Sequence, residues 1–260
     1  MSFFKPGSVF FSFNQYPPKE REIIIKIIQE LTSSISFNNE ESKNFIADDM
    51  ILFSRTLDFL KEKKFVETVN NALEKNDDHN KAYSSIIWRK HILTWAGEHC
   101  KKVEGDFCDF GCYDGVGSKI INDYSDLDGV NKNFYLYDVF DNPPDSHIFP
   151  KHSKELYNKV TEKFKKNKNI KIIKGVLPDI LKRHCPKTIA FAHIDLNNTK
   201  AEMGVLEYIF DKMTKGGIII LDDYGWMAYE DQMMKEKKFF NDKNLKVLEL
   251  PTGQGMVLIS

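Results

Sequence analysis

The sequence predicts an α/β protein of Rossmann-like architecture. We expect a seven-stranded, mostly parallel sheet that ends in an antiparallel hairpin and follows an amino-terminal helical region. From residue 103 onward, short apolar runs alternate with amphipathic segments, a pattern typical of parallel strands joined by crossover helices. Near the end, only residues 251–255 separate two apolar runs. Because that segment is too short for a helix, these two strands must be antiparallel.

The first hundred residues carry mainly helical patterns. Isoleucines recur at helical spacing between Pro17 and Leu31, and similar spacing predicts helices over 51–73 and 83–96. Residues 34–49 are polar and are predicted to form a loop or lid. We therefore divide the chain into a helical region over 1–100, which would cover a pocket, and a ligand-binding α/β domain over 101–260.

The elements of the second part follow one another in a regular order. Strands are predicted over 105–110, 133–138, 170–173, 189–196, 217–222, 245–250 and 256–259. Helices are predicted over 151–165, 178–183, 200–213 and 228–240. Class I methyltransferases have such a sheet with a final hairpin, whereas a plain dinucleotide-binding domain does not.

Composition excludes several classes of partner. The chain has 260 residues, with 37 Lys and Arg against 38 Asp and Glu, so its formal net charge is −1. This balance gives no attraction to nucleic acid or to an anionic membrane. We see no signal peptide and no apolar run long enough to span a bilayer, so we expect a cytoplasmic protein with reduced cysteines. A homo-oligomer is left open.

A glycine turn follows the first strand of the α/β part. Asp109, Gly111 and Gly115 have the spacing Asp-x-Gly-x-x-x-Gly, which differs from the Gly-x-Gly-x-x-Gly turn that cradles a pyrophosphate. The turn suits the methionine part of S-adenosylmethionine, and Asp109 could attract its sulfonium or amino group. We expect Ser118, just inside the next helix, to line the same cofactor site. The alternative is an ordinary tight turn with a surface aspartate.

Asp138 ends the second strand of this part. An acid at this position can accept hydrogen bonds from two ribose hydroxyls, and Val139 beside it would also line the cofactor. NAD enzymes use the same arrangement, so Asp138 does not separate the two classes of cofactor. Helix capping is the alternative role.

Three carboxylates follow the fourth and fifth strands. Asp195 ends one strand, and Asp222 and Asp223 end the next. Neighbouring carboxylates repel each other, and a hard dication such as Mg²⁺ relieves that repulsion. We expect these three aspartates to hold Mg²⁺ and Asp195 to be catalytic, with His193 as an assisting group. The alternative is an acidic loop that caps helices.

Four segments together resemble a known family. Residues 109–115, 137–141, 193–195 and 221–225 are similar to the corresponding motifs of macrocin-type sugar O-methyltransferases. The resemblance covers the chain from about residue 105 onward. It implies a Mg²⁺-assisted, S-adenosylmethionine-dependent O-methyltransferase. By this likeness Asp195, Asp222 and Asp223 would ligate Mg²⁺, while Asp109, Gly111 and Asp138 would hold S-adenosylmethionine.

One departure from this family concerns proton transfer. Asn197 stands where the family commonly has an aspartate that is a candidate general base, and an amide cannot take a proton at neutral pH. Either the acceptor is already ionised, as a carboxylate or phosphoryl oxygen is, or metal coordination acidifies a sugar hydroxyl with help from His193 or from a residue of the amino-terminal segment. The acceptor would be a small molecule, namely a sugar, a nucleotide-linked sugar or a polysaccharide precursor.

Two other classes remain as alternatives. An NAD-dependent oxidoreductase could use a Rossmann-like fold, but the sequence lacks its glycine turn. A non-catalytic scaffold with a methyltransferase-like fold would not need the three carboxylates, yet all three are present.

Overall fold

The computed structural model describes residues 16–34, 44–48, 50–73, 86–141 and 154–260. The chain divides into two compact units, Met1–Ile92 and Leu93–Ser260. We describe each unit by itself. The division into a helical region over 1–100 and an α/β domain over 101–260 stays a prediction. The segment Asn142–Asp145, which its two prolines predict to be a loop, lies outside the described residues.

The first unit combines helices with a small hairpin. Its elements are α1 (Pro18–Ser34), β1 (Phe45–Ala47), β2 (Met50–Leu52), a 3₁₀ turn (Asp58–Leu60), α2 (Lys63–Ala72) and the beginning of α3 (Ile87–Cys100). Strands β1 and β2 pair antiparallel. Our predictions of a helix from residue 51 and of a loop through residue 49 were therefore wrong in part. Ser54 and Leu57 have positive φ values of 56° and 53°, which a right-handed helix cannot accommodate.

Asp48 links the small hairpin to the start of α3. Its carboxylate accepts the backbone N–H of Trp88 at 2.8 Å and that of Arg89 at 3.4 Å. These N–H groups belong to the first turn of α3, where no helical carbonyl is available to them. Burial raises the pKa of Asp48 to about 7, although the two hydrogen bonds and the Arg89 charge act in the opposite direction.

The second unit is built on one seven-stranded sheet. Its strands are β3 (Asp106–Phe110), β4 (Phe134–Asp138), β5 (Ile170–Lys174), β6 (Ile189–Ile194), β7 (Met213–Leu221), β8 (Leu248–Glu249) and β9 (Gly255–Leu258). Its helices after α3 are α4 (Val116–Ser125), α5 (Lys154–Lys163), α6 (Leu181–His184), α7 (Thr199–Ile209) and α8 (Glu230–Asn241). The strand order is β5-β4-β3-β6-β7-β9-β8. The predicted fold class is confirmed.

Burial explains why the central strands are the most apolar. All six residues of β6 are buried, as are residues 217–221 of β7. A strand that is covered by helices on both faces needs a continuous apolar run rather than an alternating one. In the middle of the sheet, the rings of Phe107 and Phe191 stack with centroids 5.2 Å apart.

The last two strands form the predicted antiparallel hairpin. Strand β9 pairs with β8 and also with β7, and both pairings are antiparallel. Leu221 lies opposite Gly255 in this register. The residue before Gly255 therefore reaches the carboxyl end of β7, where the acidic side chains are. In the described part of the chain, no helix is both long and apolar enough to cross a bilayer.

Candidate active site

Gly111 brings the carboxyl ends of β3 and β6 into contact. It has a φ of 97°, and a Cβ atom at this position would lie 1.8 Å from the carbonyl oxygen of Asp195. No side chain fits in that space, and L-residues rarely adopt such a φ. The glycine predicted from sequence to approach a ligand is thus required already by the packing of the two strand ends.

Asp138 holds the glycine turn against the end of β4. Its carboxylate accepts the backbone N–H of Tyr113 at 2.8 Å and that of Phe140 at 2.8 Å. Val139, between Asp138 and Phe140, is half-buried. The predicted contacts of Asp138 and Val139 with a ribose are compatible with this position and stay predictions.

Asp109 points into the protein. It is 3% exposed, and the Ser118 hydroxyl of α4 donates to its Oδ2 atom. Gly115 precedes α4 with a φ of 72° and allows the sharp entry into the helix. The Ser118 hydroxyl therefore ties the start of α4 to the end of β3. Direct attraction of the cofactor by Asp109 also stays a prediction.

His193 bridges the ends of β3 and β7. Its Nδ1 lies 2.9 Å from Oδ1 of Asp109, and its Nε2 lies 3.4 Å from Oδ1 of Asp222. Burial lowers the pKa of His193, but the Asp109 and Asp222 carboxylates outweigh burial and raise it to about 10. Both nitrogens of this buried ring therefore face carboxylates. This geometry favours a positioning role over the catalytic role that we expected from the sequence.

Asp195, Asp222 and Asp223 lie close enough to influence one another. Burial raises the pKa of Asp195 well above its usual range, and the neighbouring Asp222 and Asp223 carboxylates raise it further. Gln254 donates to Oδ1 of Asp222 at 2.8 Å. The oxygen donors and their mutual repulsion fit the chemistry of a hard dication. However, no group of three or more His, Cys, Asp or Glu side chains among the described residues is arranged to hold a metal ion.

Asn197 lies in a hydrogen-bonded chain beside these carboxylates. Its Nδ2 donates to Oδ1 of Asp195 at 3.0 Å, and its Oδ1 accepts the hydroxyl of Tyr229. Burial, together with the nearby Asp223 and Asp195 charges, raises the pKa of Tyr229 to about 12. The tyrosine therefore remains a donor at neutral pH, which fixes the orientation of the amide.

A buried pair of carboxyl groups lies beside the loop after β6 that contains Asn197. Oε1 of Glu202 in α7 accepts the backbone N–H of Leu196 at 3.0 Å, and its Oε2 accepts Nε2 of Gln232 at 2.8 Å. Burial and the adjacent Glu236 carboxyl raise the pKa of Glu202 to about 9, and burial raises that of Glu236 to about 7. Each of these two carboxyls therefore binds its proton more tightly than a solvent-exposed glutamate does.

Sequence reasoning missed Gln254, Tyr229 and the Glu202–Glu236 pair. Gln254 could have been found, because the predicted hairpin pairs antiparallel and its turn must return to the acidic end of the sheet. The other contacts depend on how α8 and the turn before it pack, and no short motif encodes that packing.

The strand order and the antiparallel last strands define the class I fold of S-adenosylmethionine-dependent methyltransferases. A family model described as macrocin-O-methyltransferase (TylF) matches residues 95–248. This match covers more than half of the chain, and the chain belongs to that family. It is therefore an S-adenosylmethionine-dependent methyltransferase, and the alternatives of an oxidoreductase and of a non-catalytic scaffold are set aside.

Solved structures support the same fold at low sequence identity. The O-methyltransferase NovP is 16% identical, with a TM-score of 0.56 over 67% of this chain and 80% of that chain. An S-adenosylhomocysteine-bound methyltransferase from Podospora anserina, PaMTH1, is 12% identical, with a TM-score of 0.54 over 96% and 100%. CalS11, a TDP-rhamnose 3'-O-methyltransferase, is 14% identical, with a TM-score of 0.52 over 95% and 99%. A comparison with curated protein sequences finds no match.

Proposed function

We propose that this methyltransferase transfers the methyl group of S-adenosylmethionine to an oxygen atom of a saccharide acceptor. The acceptor is a sugar, a nucleotide-linked sugar or a polysaccharide precursor rather than a nucleic acid or a membrane surface. The observation that carries the proposal is the meeting of the glycine turn after β3 with the carboxylates after β6 and β7. Membership of the TylF family supports an acceptor that is methylated on an oxygen atom. CalS11 is an example of a protein with a related fold that acts on a sugar.

The cofactor would lie beyond the carboxyl ends of β3 and β4. In open α/β sheets, ligands bind in the crevice at these strand ends. Gly111 and Gly115 allow the positive φ values of the turn, and Asp138 holds that turn in place through the N–H of Tyr113. The main contribution of the protein would be to align the methyl group with the acceptor oxygen and to exclude water.

We further propose that Asp195, Asp222 and Asp223 hold a divalent cation, most simply Mg²⁺. When bound, such an ion would orient acceptor oxygens and lower the pKa of a coordinated hydroxyl. The support is electrostatic and not geometric: the Asp222 and Asp223 carboxylates raise the pKa of Asp195 and a cation would relieve this repulsion, although the described side chains are not arranged around one metal position. Gln254 and His193 would then hold Asp222 in a fixed orientation.

The proton of the acceptor hydroxyl needs a route, since the Asn197 amide cannot take it and both ring nitrogens of His193 face carboxylates. Two routes fit the site. An acceptor that is already ionised, such as a carboxylate or phosphoryl oxygen, needs no base. A sugar hydroxyl could instead ionise on the cation. A pH–rate profile that is flat above neutrality supports the first route, and a rise with pH supports the second.

Methyl transfer from labelled S-adenosylmethionine to neutral sugars, nucleotide sugars and oligosaccharide precursors tests the proposal. We expect label in a saccharide product and loss of turnover in EDTA. Asp222→Asn should lower turnover about 100-fold, since one ligand of the cation is lost, while Asp211→Asn, at an exposed position, should not. Absence of any labelled saccharide contradicts the acceptor class. Full turnover in EDTA contradicts only the proposed role of the metal ion.

A further inference from the structure

Positive charge is concentrated in one segment of the second unit. Residues 159–187 contain ten Lys or Arg and two Asp or Glu, so their formal net charge is +8, whereas that of the whole chain is −1. The remainder of the chain therefore carries a formal charge of −9. Such a division of charge creates a local positive field that the near-neutral total does not reveal.

This segment forms one outer edge of the seven-stranded sheet. It runs from the second half of α5 through β5 and α6 to the residues just before β6. Among the described residues, β5 pairs only with β4, so its other side is an open edge. The chain moves outward from β3 to β5 and then returns to β6, and right-handed crossovers therefore place α5 and α6 on opposite faces of the sheet. The segment thus contributes residues to both faces and to the edge.

Six cations of this segment are exposed and make no ion pair with any carboxylate in the described part of the chain. The other four have partners. Lys165, Lys174 and Lys182 each pair with a nearby carboxylate, and the half-buried Lys163 donates to a backbone carbonyl. The six exposed cations, which we call the basic edge, are Lys159, Lys166, Lys168, Lys171, Arg183 and Lys187.

Protection of the open strand explains only part of this charge. Lysine on an edge strand prevents pairing with strands of other chains, and Lys171 in β5 can act in this way. Lys166 and Lys168, however, precede the strand. Arg183 lies in α6, and Lys187 lies between α6 and β6. Four cations therefore remain that protection of the edge does not require.

The chemistry of the basic edge favours an anionic polymer without aromatic rings. Five of its six cations are lysines, which act as hydrated point charges and lack the planar fork of arginine that matches a phosphate. All residues from 159 to 187 are described, and none of their exposed side chains is Phe, Tyr or Trp. The bases of a single-stranded nucleic acid would therefore find no surface on which to stack. Carboxylates spaced along a saccharide chain need only the positive charges.

We propose that the basic edge binds an anionic polysaccharide whose sugar units carry carboxylates. The inference rests on the proposed function, because a saccharide acceptor favours a polysaccharide over other anionic polymers. It goes beyond that function in assigning a second surface. Lys166 and Lys168 precede β5, whereas the carboxylates of the candidate active site follow β6 and β7, so the two surfaces lie at opposite ends of parallel strands. Because one exposed ion pair contributes little, several charges of one polymer must act together.

Fluorescence anisotropy of a labelled oligogalacturonate, titrated with the full chain, tests this binding without any methyl transfer. We expect saturable binding at low salt and a Kd that rises about tenfold or more between about 50 and about 200 mM NaCl, since salt screens exposed charges. A neutral maltooligosaccharide of the same length should not bind. No binding of the oligogalacturonate at low salt, or equal binding of the neutral chain, overturns the proposal. Tighter binding of an oligothymidylate with the same number of charges would assign the surface to nucleic acid and also overturns it.

A triple charge reversal locates the binding surface. The variant combines Lys166→Glu, Lys168→Glu and Arg183→Glu. We expect it to weaken oligogalacturonate binding at least about tenfold, because three attractive charges become repulsive, and to leave Tm nearly unchanged, because all three side chains are exposed. The matched control reverses three exposed lysines outside the segment, namely Lys215→Glu, Lys237→Glu and Lys246→Glu. Both variants have the same net charge, so equal weakening in the control overturns the proposal.

These measurements separate this inference from the proposed function. If the oligogalacturonate does not bind but a neutral saccharide is methylated, the basic edge is not a polysaccharide surface although the proposed function stands. If the oligogalacturonate binds as expected but no saccharide is ever methylated, the proposed function fails while the binding surface stands.

Discussion

Single polar side chains decide how the carboxylates at the end of the sheet are held. His193 and Gln254 both contact Oδ1 of Asp222, although one belongs to β6 and the other to the turn before β9. Asn197 carries out a similar task for Asp195. A truncated partner would leave a partly buried carboxylate without its hydrogen bond, which costs more than the bond itself contributes.

Tyr229→Phe tests the orientation of Asn197. Loss of the hydroxyl frees the amide to rotate away from Asp195, so turnover with the saccharide acceptor should fall about fivefold. The affinity for S-adenosylmethionine, measured by calorimetry, should not change. Tyr208→Phe, in α7 and away from this chain of hydrogen bonds, is the matched control. Unchanged turnover in Tyr229→Phe would rule out a positioning role for this tyrosine.

Among the elements, α7 and α8 each bury one glutamate, Glu202 in α7 and Glu236 in α8. Glu202 and Glu236 are 1% and 0% exposed, and Glu202 also holds the loop after β6 through the N–H of Leu196. Each carboxyl binds its proton more tightly in the folded chain than in the unfolded chain. The contribution of the pair is therefore fully present below the ordinary value of 4.5 and is lost as pH rises through about 7 and about 9.

Glu236→Gln should flatten this pH dependence. The variant keeps the shape of the side chain and removes one titrating group. Between pH 6 and pH 9.5, its free energy of unfolding in urea should decrease by roughly 1.4 kcal/mol less than that of the unaltered chain, because the pKa of Glu236 lies about one unit above pH 6 and one pKa unit corresponds to about 1.4 kcal/mol. Glu230→Gln, exposed at the start of α8, serves as control. Parallel curves for Glu236→Gln and the unaltered chain would contradict the raised pKa of Glu236.

Elements with a clear hydrophobic periodicity could be predicted from the sequence, whereas side-chain contacts between elements could not. The continuous apolar runs of β6 and β7 identify central strands, and the short turn before β9 requires an antiparallel pairing. No α-helix forms in the segment 51–62, because its apolar residues belong to a hairpin and a 3₁₀ turn. The contacts of His193 depend on two strand registers, that of β3 with β6 and that of β6 with β7. The sequence alone predicts neither register.

At the scale of the whole molecule, cofactor binding should be linked to unfolding. A ligand that binds only the folded chain at 100 times its dissociation constant adds about 2.7 kcal/mol to the free energy of unfolding. For a chain of this size, that corresponds to a rise in Tm of roughly 5–10 °C. We expect differential scanning fluorimetry to show this rise with S-adenosylmethionine and S-adenosylhomocysteine but not with NAD. Equal stabilisation by NAD would contradict the cofactor assignment.

The position of β9 between β7 and β8 has a consequence during synthesis of the chain on the ribosome. Until residues 255–258 have been synthesised, the edge of β7 that they cover, including Ile218–Leu221, has no partner. An unpaired apolar edge of this kind invites pairing with other chains. The nascent polypeptide therefore passes through a stage in which chaperone capture or aggregation competes with completion of the sheet.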